Sequence, residues 1–360
     1  MMLTVGVDAH KQIHMAVAVD ARGTVCGTWR GANTPAGWAE LATWAAALGN
    51  ERQWGIEGAW NYGRGLAQHL VSAGERVYDI NPRWTAERRQ RARKPDKSDY
   101  RDAHAVAKVV QEADVPLPQV LLEDESAVLD LLVTERDGAM AEATRLRNQI
   151  HQLLLQLDPS YPAHLPSLTS HAGVRAVVGY TTGSQAALAQ QRAAAVRRLA
   201  HRLQVALDQA AELARLIRTR VRHRYAPLAE LCGIGLLSVG ALVGILGPGQ
   251  RFTRETQLAA FAGVAPVEAS SAGQVRHRLN RGGHRRLNAI LYRMALTQAR
   301  CWPPAQSYLA GRQAEGKTRR EAIRALKRYL IRAIWQRWKQ CVGEQDRQLG
   351  QLAAEHKEQA

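Results

Sequence analysis

Cysteine is scarce in this chain. Four occur in 360 residues, at positions 26, 232, 301 and 341, and no two form a C-x-x-C pair. That spacing excludes a thiolate zinc site and a disulfide framework, and it fits a reducing compartment. Long hydrophobic runs are also missing. The most apolar stretch, Leu236 to Leu246, is short and interrupted by glycine, too little to span a bilayer. No cationic segment followed by an apolar core opens the sequence, so the expectation is a cytoplasmic protein with no signal peptide and no membrane partner. Acidic charge is in deficit, with 32 Asp and Glu against 49 Lys and Arg, a net charge of +17 and a pI near 10.3. Such an excess suits a polyanionic partner, because basic side chains that neutralise phosphates release condensed counterions. A merely cationic soluble protein is the plainer reading of the same charge.

The length suits two or three domains, and 46% hydrophobic with 22% charged residues describes a globular chain. Its organising stretch is the first one, Leu3-Thr-Val-Gly-Val-Asp8-Ala-His-Lys11. An apolar strand that ends in a carboxylate is costly unless something compensates the charge, and a divalent cation is the usual compensation. Further strands are expected at 16–19, 24–29, 53–57 and 76–80, with a turn at 20–23. Thr34-Pro35 opens a helix as N-cap and first helical residue. A second helix is expected from Gly63 to Ser72. The order βββαβαβ followed by a helix is the layout of an RNase H-like domain, and in it Asp8 and Glu57 end neighbouring strands on one side of the sheet.

Ser98 is placed to cap the next helix, whose first turn holds Asp99 and Asp102. Three residues apart, they share a face. Acids at a helix start are common, because the helix dipole favours them. Four acids from three elements are less common. They match the hard oxygen donors that two divalent metals need for phosphodiester chemistry, with magnesium first and manganese in its place. The stretch leading into this helix contains Arg83, Arg88, Arg89, Arg91, Arg93, Lys94 and Lys97, cations that would guide a phosphate backbone. His10 and His14 lie four apart across a strand end and turn rather than on a helix, and are read as ordinary polar residues. His104 is read as pointing away from the acids.

Beyond Val115-Pro-Leu-Pro118 the chain becomes charged, leucine-rich and helical. Long helices are expected over 123–157 and 185–224, joined by the loop 158–166. They suit either an antiparallel pair or a coiled-coil-like arm that dimerises. Leu231-Cys-Gly-Ile-Gly then reads as a glycine turn, either a helix-hairpin-helix that offers N–H groups to a phosphate or a plain corner between helices. Ser270 and Ser271 sit in a glycine-flanked loop, which by itself is turn chemistry. The cationic residues Arg276, Arg278, Arg281, Arg285 and Arg286 follow without an acid between them. The segment 317–338, opening with Lys317, Arg319 and Arg320, is a basic amphipathic helix with an apolar stripe at Ile323, Leu326, Leu330 and Ile334. A membrane-surface role is conceivable, and nucleic acid suits the basic context better.

These pieces resemble a known family. Gly6-Val-Asp8-Ala-His-Lys, Glu57-Gly and Lys97-Ser-Asp99-Tyr-Arg-Asp102-Ala are similar to the Asp-Glu-Asp-Asp set of the DEDD insertion-sequence transposases, relatives of the Piv DNA invertases. Cys232-Gly-Ile-Gly, Ala262-Gly-Val-Ala-Pro266, the Ser270-Ser271 loop and Arg281-Gly-Gly-His-Arg-Arg-Leu287 are similar to that family's second domain. The resemblance implies a RuvC-like first domain, a serine nucleophile in the second, donor and target DNA as substrates, and a non-coding bridge RNA as guide. The long central helices point to a homodimer or homotetramer. The family commonly has Ser-Gly or Ser-Ser-Gly-Gly where this chain has Ser-Ser-Ala-Gly. Spacing from Pro266 favours Ser271, and spacing back from Gly283 favours Ser270; Ser271 is preferred.

The domains expected are 1–115, RuvC-like; 116–225, a long-helix dimerisation region; 226–345, mainly helical and serine-bearing; and 346–360, a polar tail. The activity expected is cutting and rejoining of DNA through a metal-binding acid set and a phosphoserine link. The alternative is a RuvC-like nuclease or resolvase that hydrolyses without a covalent intermediate. An actin-like sugar kinase also starts on a strand ending in Asp, but Ala-His-Lys after Asp8 supplies no glycines to cradle phosphate.

Overall fold

The computed structural model describes residues 2–85, 98–114, 117–249, 251–265, 267–268, 277–278 and 283–358; of residues 267–268, 277–278 and 344–358 it describes the backbone alone. The chain forms two compact units, 1–124 and 125–360.

The first unit is built on a five-stranded sheet of order β3-β2-β1-β4-β5, where β1 is Leu3–Ala9, β2 Ile13–Val19, β3 Val25–Ala32, β4 Arg52–Glu57 and β5 Arg76–Ile80. β2 runs antiparallel to β1 and β3, whereas β1, β4 and β5 are parallel. This is the RNase H-like arrangement expected from the sequence. Helix α1 (Pro35–Leu48) begins as read, with Thr34 Oγ1 accepting from the Gly37 N–H at 3.2 Å and Pro35 in the first turn. The turn after β2 closes through the left-handed Gly23. Side chains alternate across the sheet. Val5, Val7, Trp54 and Ile56 face α1 and α2 (Arg64–Ser72), where Leu41, Leu66 and Leu70 complete a core. The intervening residues Gly6, Asp8, Gly55 and Glu57 therefore face the opposite side, which α3 (Asp99–Gln111) covers with Ala103, Val106, Ala107 and Val110.

A pair of glycines sets how closely α3 approaches. Gly6 and Gly55 stand side by side in the β1–β4 register. A Cβ on Gly6 would lie 2.2 Å from both the Ala103 carbonyl oxygen and the Ala107 nitrogen, and one on Gly55 would lie 2.4 Å from a Val110 methyl. Two bare positions thus make a flat floor on which the helix backbone rests, one step along the strands from Asp8 and Glu57.

The second unit is helical. Its long helices α4 (Glu125–Leu157) and α6 (Ala187–Arg224) run antiparallel, as the ion pairs Arg220–Glu125 and Arg202–Glu142 require. Ala143, Leu146, Ile150 and Leu154 pack against Val196, Ala200, Leu203 and Ala206, with the short α5 (His171–Val178) closing that end. Near the other end, Leu129, Val133, Ile217 and Val221 join one continuous core with α7 (Ala226–Ala229), α8 (Leu236–Leu246), α9 (Glu255–Phe261), α10 (Arg285–Cys301), α11 (Pro303–Ala314) and α12 (Arg319–Glu358). The Gly-Ile-Gly turn is a tight corner between the four-residue α7 and α8. Gly233 adopts φ +86°, its missing Cβ would meet the Met294 carbonyl at 3.0 Å, and Gln298 Nε2 donates to Cys232 O at 2.7 Å. Both contacts tie the turn to α10 of the same unit.

The amphipathic helix is longer than expected, and its apolar stripe is fully used. Ile323, Leu326, Leu330 and Ile334 are all buried in the core, so this stripe is not offered to a membrane surface. No described helix is long and apolar enough to cross a membrane. Several of its cations are also held within the unit: Arg328 and Arg332 pair with Glu255, Arg337 with Glu230, and Lys339 donates to Gly249 O.

The glycine floor yields a direct test. Gly6→Ala forces α3 outward by about 1 Å, because only backbone atoms oppose the new methyl, and should cost about 1–3 kcal/mol in thermal unfolding. Gly49→Ala, at an extended residue with open space around it, should stay within about 0.5 kcal/mol of wild type. Equal stability of the two variants would show that α3 does not rest on Gly6.

Candidate metal centre and serine loop

The acid site assembles from the alternation just described. Asp8 and Glu57 are direct partners across the parallel β1–β4 pair, so their side chains leave the same face side by side. The third element is α3, begun by Ser98, whose hydroxyl accepts from the Arg101 N–H at 3.3 Å. This cap fixes the helix start and places Asp99 and Asp102 in its first turn, over the α3-facing side of the sheet. Asp102 is buried and Asp99 exposed. Asp8 is 8% exposed, and its Oδ2 is buried without a hydrogen bond. Burial first, then the fields of Asp102, Glu57 and Asp99, raise the Asp8 carboxyl to about 6 against the opposing effect of His10.

His10 belongs to this centre, although the sequence reading set it aside. Its Nε2 lies 3.1 Å from Asp8 Oδ2 and 3.5 Å from Asp99 Oδ1. Ligand atoms of Asp8, His10 and Asp99 all lie within 4.8 Å of one another. The signal was present in the sequence: two residues beyond Asp8 along an extended segment returns to the same face. The turn that follows, with His10 N–H donating to Ile13 O at 3.1 Å, keeps the residue beside the acids. His14 pairs with Ala9, one residue out of phase, and so faces the α1–α2 core rather than the acids. Burial holds its ring below the ordinary imidazole value. His104 stacks on Tyr100 and is likewise held down by burial.

Thr85 was not anticipated either. It is fully buried and its hydroxyl donates to Glu57 Oε2 at 2.8 Å, orienting that carboxylate. The tight three-residue group thus omits Glu57 and Asp102, which lie within range to raise the Asp8 carboxyl. The donor set suits a divalent metal: hard oxygens from three elements, one of them a buried carboxylate oxygen with no hydrogen bond.

Of the basic residues read as nucleic-acid contacts, Arg89, Arg91, Arg93, Lys94, Lys97, Arg276 and Arg281 lie outside the described residues, as do Ser270 and Ser271. Arg278 is described by its backbone only, in a two-stranded hairpin of β6 (Val267–Glu268) and β7 (His277–Arg278). Arg285, Lys317, Arg319 and Arg320 are exposed, and Arg286 pairs loosely with Asp130 and Asp137.

The base of the serine-bearing segment is tightly held. His284 N–H donates to Phe261 O at 2.8 Å, and a Cβ on Gly283 would lie 2.3 Å from the Gly263 Cα. Asn288 Nδ2 donates to Ala262 O at 2.9 Å, while the buried Lys327 donates to Asn288 Oδ1 at 2.8 Å. α12 thereby reaches the strut that closes the hairpin.

Residues 5–159 match the transposase family of the IS110 DEDD type, and residues 225–310 match the transposase family of IS116, IS110 and IS902. The 42 kDa protein of insertion element IS900 from Mycobacterium paratuberculosis is 26% identical over 375 residues, covering 92% of this chain and 94% of its own. The 43.6 kDa protein of insertion element IS110 from Streptomyces coelicolor is 27% identical over 66% of this chain and 70% of its own. A pilin gene-inverting protein of Moraxella bovis is 28% identical over 31% of this chain and 35% of its own.

The raised Asp8 carboxyl makes a stability prediction. A carboxyl whose folded value exceeds its unfolded value of about 4 makes the metal-free fold less stable as pH rises from about 4 to about 6, with the full cost present above that window. Asp8→Asn should therefore stabilise the metal-free fold at pH 7.5 by up to about 3 kcal/mol, read as a higher melting temperature. The gain should vanish near pH 4, and added magnesium or manganese should stabilise wild type but not the variant. A variant less stable than wild type at pH 7.5 would mean that the charge is compensated within the protein itself.

Proposed function

Because the chain belongs to the IS110/IS116/IS902 transposase family and is a DNA transposase or recombinase, we propose that it cuts and rejoins DNA with a metal-binding acid set and a serine nucleophile. The observation that carries this reading is the in-register pair Asp8 and Glu57 beneath the capped start of α3, with Asp8 buried and one of its oxygens lacking a hydrogen bond. Asp8, Glu57, Asp99 and Asp102 would hold magnesium, or manganese in its place. Bound there, the metal would supply Lewis-acid stabilisation of charge on a scissile phosphate.

The remaining work falls to the protein. Thr85 fixes the rotamer of Glu57, and the Ser98 cap fixes the start of α3. Ser271, with Ser270 as the alternative, attacks phosphorus. A new Oγ–P bond forms as the bond from phosphorus to a deoxyribose oxygen breaks, and the serine proton ends on the departing oxygen. The number of phosphate ester bonds is unchanged, so rejoining by a deoxyribose hydroxyl needs no external energy. The clamp at Phe261, Gly283 and Asn288 would present the loop, and the protein would work as a homodimer or homotetramer. The net charge of +17 supports binding of donor and target DNA and of a guiding bridge RNA. Arg285, Lys317, Arg319 and Arg320 remain exposed for that role, joined by Arg89, Arg91, Arg93, Lys94, Lys97, Arg276, Arg278, Arg281 and Arg286.

The test is a denaturing gel of protein incubated with labelled DNA, guide RNA and magnesium. Wild type should leave a covalent protein–DNA adduct, and Ser271→Ala should bind DNA normally yet form neither adduct nor recombinant. An adduct that persists in Ser271→Ala but is lost in Ser270→Ala moves the role one residue. Cleavage by wild type without any adduct would favour hydrolysis by a RuvC-like nuclease and sink the serine mechanism.

A further inference from the structure

The second unit contains a cavity of about 210 Å³ between α4, α6, α8 and α10. We propose that this cavity is a phosphate site that grips one phosphodiester group of bound nucleic acid; the proposal rests on the reading of the protein as a nucleic-acid enzyme.

Three guanidinium groups line it, from Arg136 on α4 and from Arg286 and Arg293 on α10. The acids within reach do not saturate them. Asp137, on the wall, lies 3.4 Å from Arg136 and 3.4 Å from Arg286, and Asp130 lies 3.7 Å from Arg286. These are long separations beside the 2.8 Å of Arg220–Glu125 in the same unit. Arg293 is exposed and pairs with no acid among the described residues, and the Arg136 Nε is buried with no acceptor at all. A buried guanidinium N–H without an acceptor is costly and calls for an anionic oxygen.

The cavity's remaining polar wall has the same sign. Leu237 and Ser238, in the first turn of the 11-residue α8, line it. That helix begins at Gly235 with no side-chain cap and no acid in its first turn, so its N–H groups and positive dipole end are not offset there. Val133, Ile217 and Ala241 supply apolar walls that strengthen charge interactions inside. Donors outnumber acceptors throughout, which excludes a cation. Guanidinium forks match phosphate oxygens bidentately, and a phosphate has oxygens enough to meet more than one of them. A chain of net charge +17 whose family acts on DNA makes a nucleic-acid backbone the source.

The experiment measures binding of the full chain to labelled duplex DNA and, separately, to a structured RNA, from about 50 to about 300 mM salt. The variants are R293Q, the double variant R136Q/R293Q, and R222Q as a control that removes an exposed arginine of α6 outside the cavity lining. The double variant should bind about tenfold more weakly at low salt. Its log–log salt slope should be shallower by about one to two units, and that of R293Q by about one. R222Q should change less. A slope change confined to DNA, or to RNA, names the strand held.

Thermal unfolding with inorganic pyrophosphate at constant ionic strength gives a readout independent of nucleic acid. Wild type and R222Q should be stabilised and R136Q/R293Q should not. Equal slopes for the double variant and R222Q, with equal response to pyrophosphate, would overturn the site while leaving the transposase reading intact. A wild type that binds neither DNA nor RNA, yet responds to pyrophosphate through these arginines, would overturn the nucleic-acid assignment and with it the reading of the whole protein.

Discussion

The first unit depends on one constraint, a carboxylate held where water cannot reach it well. Asp8 ends the central strand, with β2 on one side, β4 on the other and α3 over its face. Each neighbour that buries it also brings a further charge. β4 brings Glu57, α3 brings Asp99 and Asp102, and the turn into β2 brings His10. Three like charges and one imidazole around a buried acid form an arrangement that no packing argument requires. Apolar residues at these positions would stabilise the same sheet and helix. Such a cost is the usual relation between strained electrostatics and an active centre, and a cation that completed the cluster would offset it.

Much of this was legible in the residues. The strand ending in Asp8, the Asp20–Gly23 turn, the Thr34-Pro35 start and the Ser98 cap all carry local signals strong enough to survive tertiary packing. The alternation that brings Asp8 and Glu57 to one face follows from counting along strands. His10 was missed because its spacing was compared with a helical zinc motif rather than with the period of the strand it leaves. Thr85 was not legible, because nothing local marks a threonine 28 residues from Glu57 as its hydrogen-bond donor. The Gly6–Gly55 floor was equally hidden, since a glycine's reason for being bare lies in the helix that will press on it.

In the second unit, the two long helices α4 and α6 followed from periodicity, but the full length of α12 and the fate of charge did not. The basic helix α12 looked like one continuous nucleic-acid surface, yet Arg328, Arg332 and Arg337 pair with acids of α9 and of the segment after α7. Lys327 is buried against Asn288 at the base of the serine hairpin. Sequence counts cations without showing which are already partnered. Among the described residues, exposed cations of this unit include Arg285, Lys317, Arg319 and Arg320, beside the guanidinium groups around the cavity next to α8.

The central claim is that the acid cluster on β1, β4 and α3 is a metal centre rather than a costly ornament of the fold. Anomalous X-ray scattering from crystals of the full chain grown with manganese tests it most directly. The account predicts a peak bonded to Asp8 and to at least one of Glu57, Asp99 and Asp102, with Asp8 Oδ2 directed at the ion. Manganese bound elsewhere on the protein, with Asp8 still turned toward His10 and no peak at its carboxylate, would contradict it.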